Sequence, residues 1–466
     1  MQDTSDNVET QDRPSSNVLL YLTLALVALA PLPLGSNRPL PAAILALSTG
    51  CLIVAWGVFY GRSPQVALRR VIWPIGLFAL VCFWIFLQAT PVLPDSWSDP
   101  IWASASNALG GNLRGRLSVN PDETLNGLMR LMSYGGLFWL ALQLTHRNAS
   151  AWLAMRAIAA IGALYALYGI IIFLMGNDTI LIYEKWAYKD SLSSTFVNRN
   201  SYATFAGLCL LCALTVLLEK TRLILNVPAP LRTRVIMLVE MLASKSAFTT
   251  FAVFAIAFSL IMSASRAGVA SSVIGLIVLT MCQFNHKKMK WRQILVMLAI
   301  VSIVTSLAFW VGGGFLIDRL SEDDANLGSN PRTEIYSSLY AAIDSAPWTG
   351  TGFGTFADIF PAYRDMSNGP LVFWDKAHNT YLENAIELGV PMAALLNIAI
   401  GWTALFALWG VVTRRRNWQI PAVGVAATTL VGIHSLFDFS LQIPAISALY
   451  AFIMGVAVSQ SWSRTG

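Results

Sequence analysis

The chain repeats one pattern from residue 18 to residue 460: apolar runs of about 20 residues separated by polar links. An α-helix of that length crosses the hydrocarbon core of a bilayer. Only such a helix, or a closed barrel, satisfies its own backbone N–H and C=O groups where no water is at hand. About twelve spans can be read, at 18–35, 39–60, 71–90, 125–145, 157–176, 201–218, 247–264, 267–285, 293–311, 387–412, 420–437 and 441–460. Composition agrees, because only 12 % of residues are charged, where a soluble domain carries about 25 %. The expected fold is an all-α integral membrane protein. In a soluble chain the net charge of +6 would suggest nucleic acid. Here the basic residues sit in short loops between apolar runs, so no nucleic-acid partner is expected.

Those loops also set the orientation. Basic clusters at Arg62, Arg69 and Arg70, at Arg147 and Arg156, at Lys287 to Arg292 and at Arg414 to Arg416 fall on alternate links. The positive-inside rule then puts both ends of the chain in the cytoplasm. Residues 1–17 are polar and acidic and lack the cationic start of a signal peptide, so a short disordered tail and an uncleaved first helix are expected. The outer side receives four stretches: 91–124, 177–200, the tight turn 264–267 and the long loop 312–378. The chain thus divides into the tail, nine spans over 18–311, the outer loop 312–378 and three closing spans over 379–461.

Stretch 91–124, with Trp97 and Trp102 as interface anchors, is expected on the membrane surface. Segment 231–246 places Leu231, Val235, Leu238, Val239 and Leu242 at helical spacing between basic ends, the pattern of an interfacial amphipathic helix. All five cysteines (Cys51, Cys82, Cys209, Cys212 and Cys282) lie in apolar segments. They read as small buried hydrophobes rather than as a disulfide framework or a zinc site. The acidic run Glu322-Asp323-Asp324 has no further ligand at a defined spacing, so a solvated loop is the expectation and no metal or cofactor is assigned.

Chemistry-bearing residues gather on the outer side. Loop 312–378 holds Arg319, Arg332, Arg364, Lys376 and His378. Asn330-Pro331 reads as a helix start, with Arg332 in the first turn of a helix to Ser345; a bound anion would relieve a cation there. Gly350-Thr-Gly-Phe-Gly354 is a turn and not a nucleotide motif, since no Lys-Ser/Thr follows and no βαβ unit surrounds it. Arg199 opens the sixth span and Arg266 sits in the outer turn; a headgroup contact explains either of them as well as a function does. Arg130 lies about two turns inside the fourth span with no acidic residue expected on its face, which makes it a functional candidate. His378 opens a helix start with Glu383 and Glu387 one turn apart, and a neutral imidazole is available as a general base. His434 and Asp438, four residues apart, are expected to satisfy each other by a hydrogen bond.

At Asn198-Arg-Asn200, Ser265-Arg-Ala-Gly268, Pro347 to Phe356, His378-Asn-Thr-Tyr-Leu-Glu383 with Glu387-Leu-Gly389, and His434 to Phe439, the chain resembles the O-antigen ligase and Wzy-type polymerase superfamily. The resemblance covers Ser194 to the C-terminus. It implies a glycosyltransferase of the bacterial inner membrane, GT-C-like, with about twelve helices and one large periplasmic loop containing short helices. The implied donor is an undecaprenyl-diphosphate-linked oligosaccharide, and the implied acceptor a lipid-linked repeat or lipid A–core. Carried over by motif, Arg199 and Arg266 would bind the diphosphate, with Arg332 and Arg364 as further candidates, and His378 would be the catalytic histidine. Glu383, Glu387 and Arg130 stand as possible support. The competing class is a multi-pass transporter or flippase of lipid-linked glycans. Such proteins place their charges at mid-bilayer on broken helices in matching halves, whereas here the charges lie mainly at the outer surface.

Overall fold

The computed structural model describes residues 14–225, 227–243, 246–284, 336–364 and 374–462. The N-terminal tail to residue 13, the ninth expected span, the acidic run, Arg319 and Arg332 lie outside the described residues. The helices before that gap are α1 (Pro14–Leu29), α2 (Pro39–Tyr60), α3 (Ile72–Ala89), α4 (Pro100–Leu109), α5 (Pro121–Leu144), α6 (Asn148–Leu174), α7 (Arg199–Leu225), α8 (Leu231–Ala243), α9 (Ala247–Met262) and α10 (Arg266–Phe284). After it come α11 (Tyr336–Ser345), α12 (Phe356–Ile359), α13 (Thr380–Leu388), α14 (Val390–Thr413), α15 (Gln419–His434) and α16 (Pro444–Trp462). A helix occupies every expected span that falls among the described residues. Six of them are long and apolar enough to cross a membrane: α2, α3, α6, α7, α14 and α16. The molecule is an all-α membrane protein.

Helices α7 and α16 form the centre. Both are apolar all round, and a helix without a polar face has to be buried on every side. Between Arg199 and Arg222 α7 is enclosed by α6, α9, α10 and α15, while α16 packs against α5, α14 and α15. Small residues let the backbones approach: a side chain at Gly207 would run into Ser272 of α10, and one at Gly455 into the backbone of Phe138 on α5. The few polar groups there pair inside the bundle, as where Tyr202 Oη donates to Ser259 Oγ at 2.6 Å.

Links that carry basic residues meet at one end of this bundle. Arg222 lies 4.2 Å above the Trp418 ring, Gln419 Nε2 donates to Glu219 at 2.6 Å, and Gln460 Nε2 donates to the Thr145 carbonyl at 2.7 Å. The amphipathic helix expected over 231–246 is α8, which rests on α7 and α9 and leaves Val235 and Val239 exposed. Stretch 177–200 holds a two-stranded hairpin, β1 (Thr179–Ile180) with β2 (Tyr183–Glu184), which the sequence did not suggest. Of the five cysteines, Cys209, Cys212 and Cys282 are buried; Cys51 is exposed.

The tenth expected span begins later than the apolar pattern implied. Gly389, at φ 77°, separates the short polar α13 from the spanning α14, so Glu387 stands outside the membrane segment and not at its first residue. Together α11, α12 and α13 form a small cap whose core is Leu339, Ala342, Phe356, Phe360 and Ile386. The glycine-rich turn fastens this cap to the bundle. Thr351 N donates to the Ile386 carbonyl and Gly352 N to that of Glu387, while Gln88 at the end of α3 donates to the carbonyls of Thr349 and Glu387.

Candidate functional site

Three chain segments far apart in sequence meet at Asn200. Its Nδ2 donates to Asp438 Oδ2, and its Oδ1 accepts from Ser265 Oγ at 2.8 Å. The start of α7, the α9–α10 turn and the α15–α16 link are thereby tied together, with all three partners buried. Arg199 precedes Asn200 and Arg266 follows Ser265, so both arginines stand at this junction, each on the first residue of its helix. A helix N-terminus carries roughly half a positive charge, and a guanidinium beside it adds to the same field. Two such ends converging create a potential that an anion relieves. Arg266 is exposed, whereas Arg199 is half-buried with its guanidinium 5.3 Å above the Tyr188 ring.

His378 reaches the same place from the cap. Asn379 caps α13, accepting from the backbone of Tyr381 and Leu382 at 3.1 Å each, and its own Nδ2 donates to the Leu436 carbonyl. Thr380 N donates to the Ser435 carbonyl and Thr380 Oγ1 to that of Asp438. His378 is stitched against the α15–α16 link in this way, its ring 4.9 Å from that of Phe439 and 5.5 Å from that of Trp374. Its φ of 52° is a left-handed conformation, which costs a non-glycine residue about 1–3 kcal/mol and persists only where the surroundings impose it.

His434 and Asp438 do not satisfy each other as their spacing implied. Both turn towards α7: His434 Nδ1 lies 3.1 Å from Thr204 Oγ1 and 3.2 Å from Ser440 Oγ, and Asp438 holds Asn200. Helix α15 ends at His434, so Asp438 lies beyond it and the two side chains share no helix face; α7, packed against both, supplies their partners instead.

Arg130 does have an acidic residue on its own helix face. Helix α5 begins at Pro121, so Glu123 lies two turns before Arg130 on the same face and pairs with it at 3.3 Å. Near it, Lys376 pairs with buried Glu383 at 3.4 Å, and Glu383 also accepts from Ala377 N at 2.7 Å. Glu387, likewise buried, accepts from Phe356 N at 3.0 Å. Burial, reinforced by the charge of Glu383, pushes its carboxyl up to about 8 against the pull of Lys376 and the backbone N–H groups of Gly354 and Phe356. Arg130, Lys376, Glu383 and Glu387 line a cavity of about 780 Å³ between α3, α5, α14 and α16. Arg364 follows the turn Phe360–Ala362 at the edge of the cap, half-buried.

Sequence reasoning passed over Asn200 and Lys185. Lys185 is 6 % exposed and donates to the Ser191 carbonyl at 2.5 Å. Burial lowers its pKa, Asp178 and Asp190 oppose that, and the neighbouring Arg199 lowers it further. The available signal was its place: Lys185, with Lys189 and Arg199, is one of three cations on the stretch 177–200.

Residues 251–397 match the family model described as O-antigen ligase. The matched stretch contains Arg266, Arg332, Arg364, His378, Glu383 and Glu387; Arg199 and Asp438 lie outside it. No curated protein matches the chain. That domain closes on the junction just described, and its match supports an O-antigen ligase or Wzy-type family for the chain and a membrane glycan-ligating or polymerising function.

Proposed function

We propose that the protein transfers a glycan from undecaprenyl diphosphate to an acceptor glycan at the periplasmic face of the inner membrane, by direct displacement with inversion. The observation that carries this reading is the junction at Asn200, which gathers Arg199, Arg266 and His378 from three remote segments. The acceptor hydroxyl attacks the anomeric carbon of the donor sugar and gives its proton to His378. As the new C–O bond forms, the bond to the phosphate oxygen breaks and the lipid diphosphate leaves with the electron pair. Arg199 and Arg266 bind that leaving group and stabilise the negative charge that grows on it, a role guanidinium fills well because it meets phosphate bidentately. Lys185, beside Arg199, adds a cation to the same field. On this reading the arginines supply the positive charge and the transfer proceeds without a metal.

The test is reconstitution of the purified protein with an undecaprenyl-diphosphate oligosaccharide and lipid A–core, with His378→Ala as the blank. A ladder of longer lipid-linked glycans means polymerase, and a single upward shift of lipid A–core means ligase. Donor that appears across the bilayer with no covalent product would sink the proposal in favour of a transporter.

A further inference from the structure

Transfer needs an acceptor besides the donor, and the reading above assigns Arg199 and Arg266 of the junction to the donor's diphosphate. We propose that the cavity between α3, α5, α14 and α16 holds the hydrocarbon chain of an acceptor glycolipid, with its sugar head against Arg130, Lys376, Glu383 and Asn384. The inference rests on the transfer reading above.

At about 780 Å³ the cavity lies in the range of ligand sites. Its wall on α5 runs from Gly127 to Trp139, which at 1.5 Å per residue is about 18 Å along the axis, more than half of the roughly 30 Å hydrocarbon core. Over that depth its walls are mainly apolar, among them Phe78, Leu131, Ile400 and Met454, with Tyr134, Asn397, Thr403, Thr428 and Tyr450 set singly between them. The charged groups of the lining, Arg130, Lys376, Glu383 and Glu387, gather at the end where α13 lies, so the cavity has a lipid's own division into chain and head.

The head region differs in charge from the arginine junction. Arg130 is paired with Glu123 and Lys376 with Glu383, so the two cations and two carboxylates balance. Burial keeps Glu387 mostly protonated at neutral pH, and it adds no charge. Such a head carries no surplus cation for a diphosphate. It offers carboxylate, ammonium and amide groups, which suit the hydroxyls of a sugar. The two sites also share an element. Thr380 lines the cavity and donates to the Asp438 carbonyl in the arginine junction, with His378 two residues before it. A sugar head at the polar end therefore lies next to the proposed base.

A side chain at Gly401, which lines the cavity, meets no atom within 4 Å, and one at Gly76, outside the lining, is equally unobstructed. Gly401→Phe fills the cavity and Gly76→Phe serves as its control. The full chain in nanodiscs is photolabelled with hexadecyl maltoside carrying a mid-chain diazirine, or with hexadecyl phosphocholine carrying the same group, and the labelled peptides are mapped. The maltoside is expected to label α5, α14 and α16 about tenfold above the phosphocholine, a difference of about 1.4 kcal/mol in binding. Gly401→Phe should remove that labelling and raise the acceptor KM about tenfold with donor binding kept, while Gly76→Phe changes neither. Equal labelling by both probes, or no label in the cavity, overturns the proposal. Transfer product without cavity labelling defeats this inference alone. Cavity labelling in protein that yields no product defeats the transfer reading, and the acceptor role with it.

Discussion

Arg266 and His378 differ in how firmly the fold holds them, and that separates their tests. Arg266 is exposed at the first residue of α10, so losing its guanidinium should leave folding and insertion intact while abolishing transfer. His378 is held in a left-handed conformation against Phe439, so His378→Ala should remove turnover and spare donor binding, measured by retention of an undecaprenyl-diphosphate oligosaccharide in detergent. A His378→Ala protein that lost binding but kept its turnover per bound donor would refute the general-base role. Glu387 yields a prediction on stability. Its folded pKa of about 8 lies above the ordinary carboxyl range, so the folded state keeps a proton that the unfolded chain releases. The stability it contributes is fully present at acid pH and is lost as pH rises through about 8. Glu387→Gln, neutral throughout, should flatten that decline; thermal unfolding between pH 5 and pH 9 would show a parallel loss in both proteins if the assignment were wrong.

At the scale of elements, the cap depends on the break between α13 and α14. Gly389 has φ 77°, and a side chain there would meet the Trp348 carbonyl at 2.5 Å. The opposing Gly350, at φ 69°, would meet the Glu387 backbone. The two glycines allow the turn and the end of α13 to close on each other. Gly389→Ala should therefore cost at least the roughly 1–3 kcal/mol of a strained left-handed residue and lower the unfolding temperature. Because α13 positions His378, the variant should also lose activity in excess of its loss of folded protein. An unchanged melting temperature would mean that the break tolerates a side chain and that the cap is held elsewhere.

For the whole molecule, the pairing of ends is the testable feature. The junction at Asn200 and the contacts of Arg222 with Trp418 lie at opposite ends of α7. If the arginine end is periplasmic, a phosphatase reporter fused within 177–200 should be active and one fused after Trp462 inactive. The reverse pattern would place the junction in the cytoplasm and remove access to a donor on the outer leaflet.

How much of this was legible beforehand depends on the range of the interactions involved. Helix positions, the polar interruptions and the basic links could be read directly, because the cost of an unsatisfied backbone in lipid acts on each segment alone. The glycine-rich turn and the helix cap at Asn379 are likewise local. Motif resemblance named Arg199, Arg266 and His378, but nothing in the spacing of residues 199, 266 and 378 says that they share a junction. The hydrogen bonds of Asn200 across two other segments, the turning of His434 and Asp438 towards α7, and the pairing of Arg130 with Glu123 were decided in three dimensions. A buried polar group takes whichever partner the packed helices bring closest, and that choice is made only when the helices assemble. The sequence by itself determined which segments enter the membrane and which residues carry charge outside it; the tertiary structure alone decided which of those charges face one another.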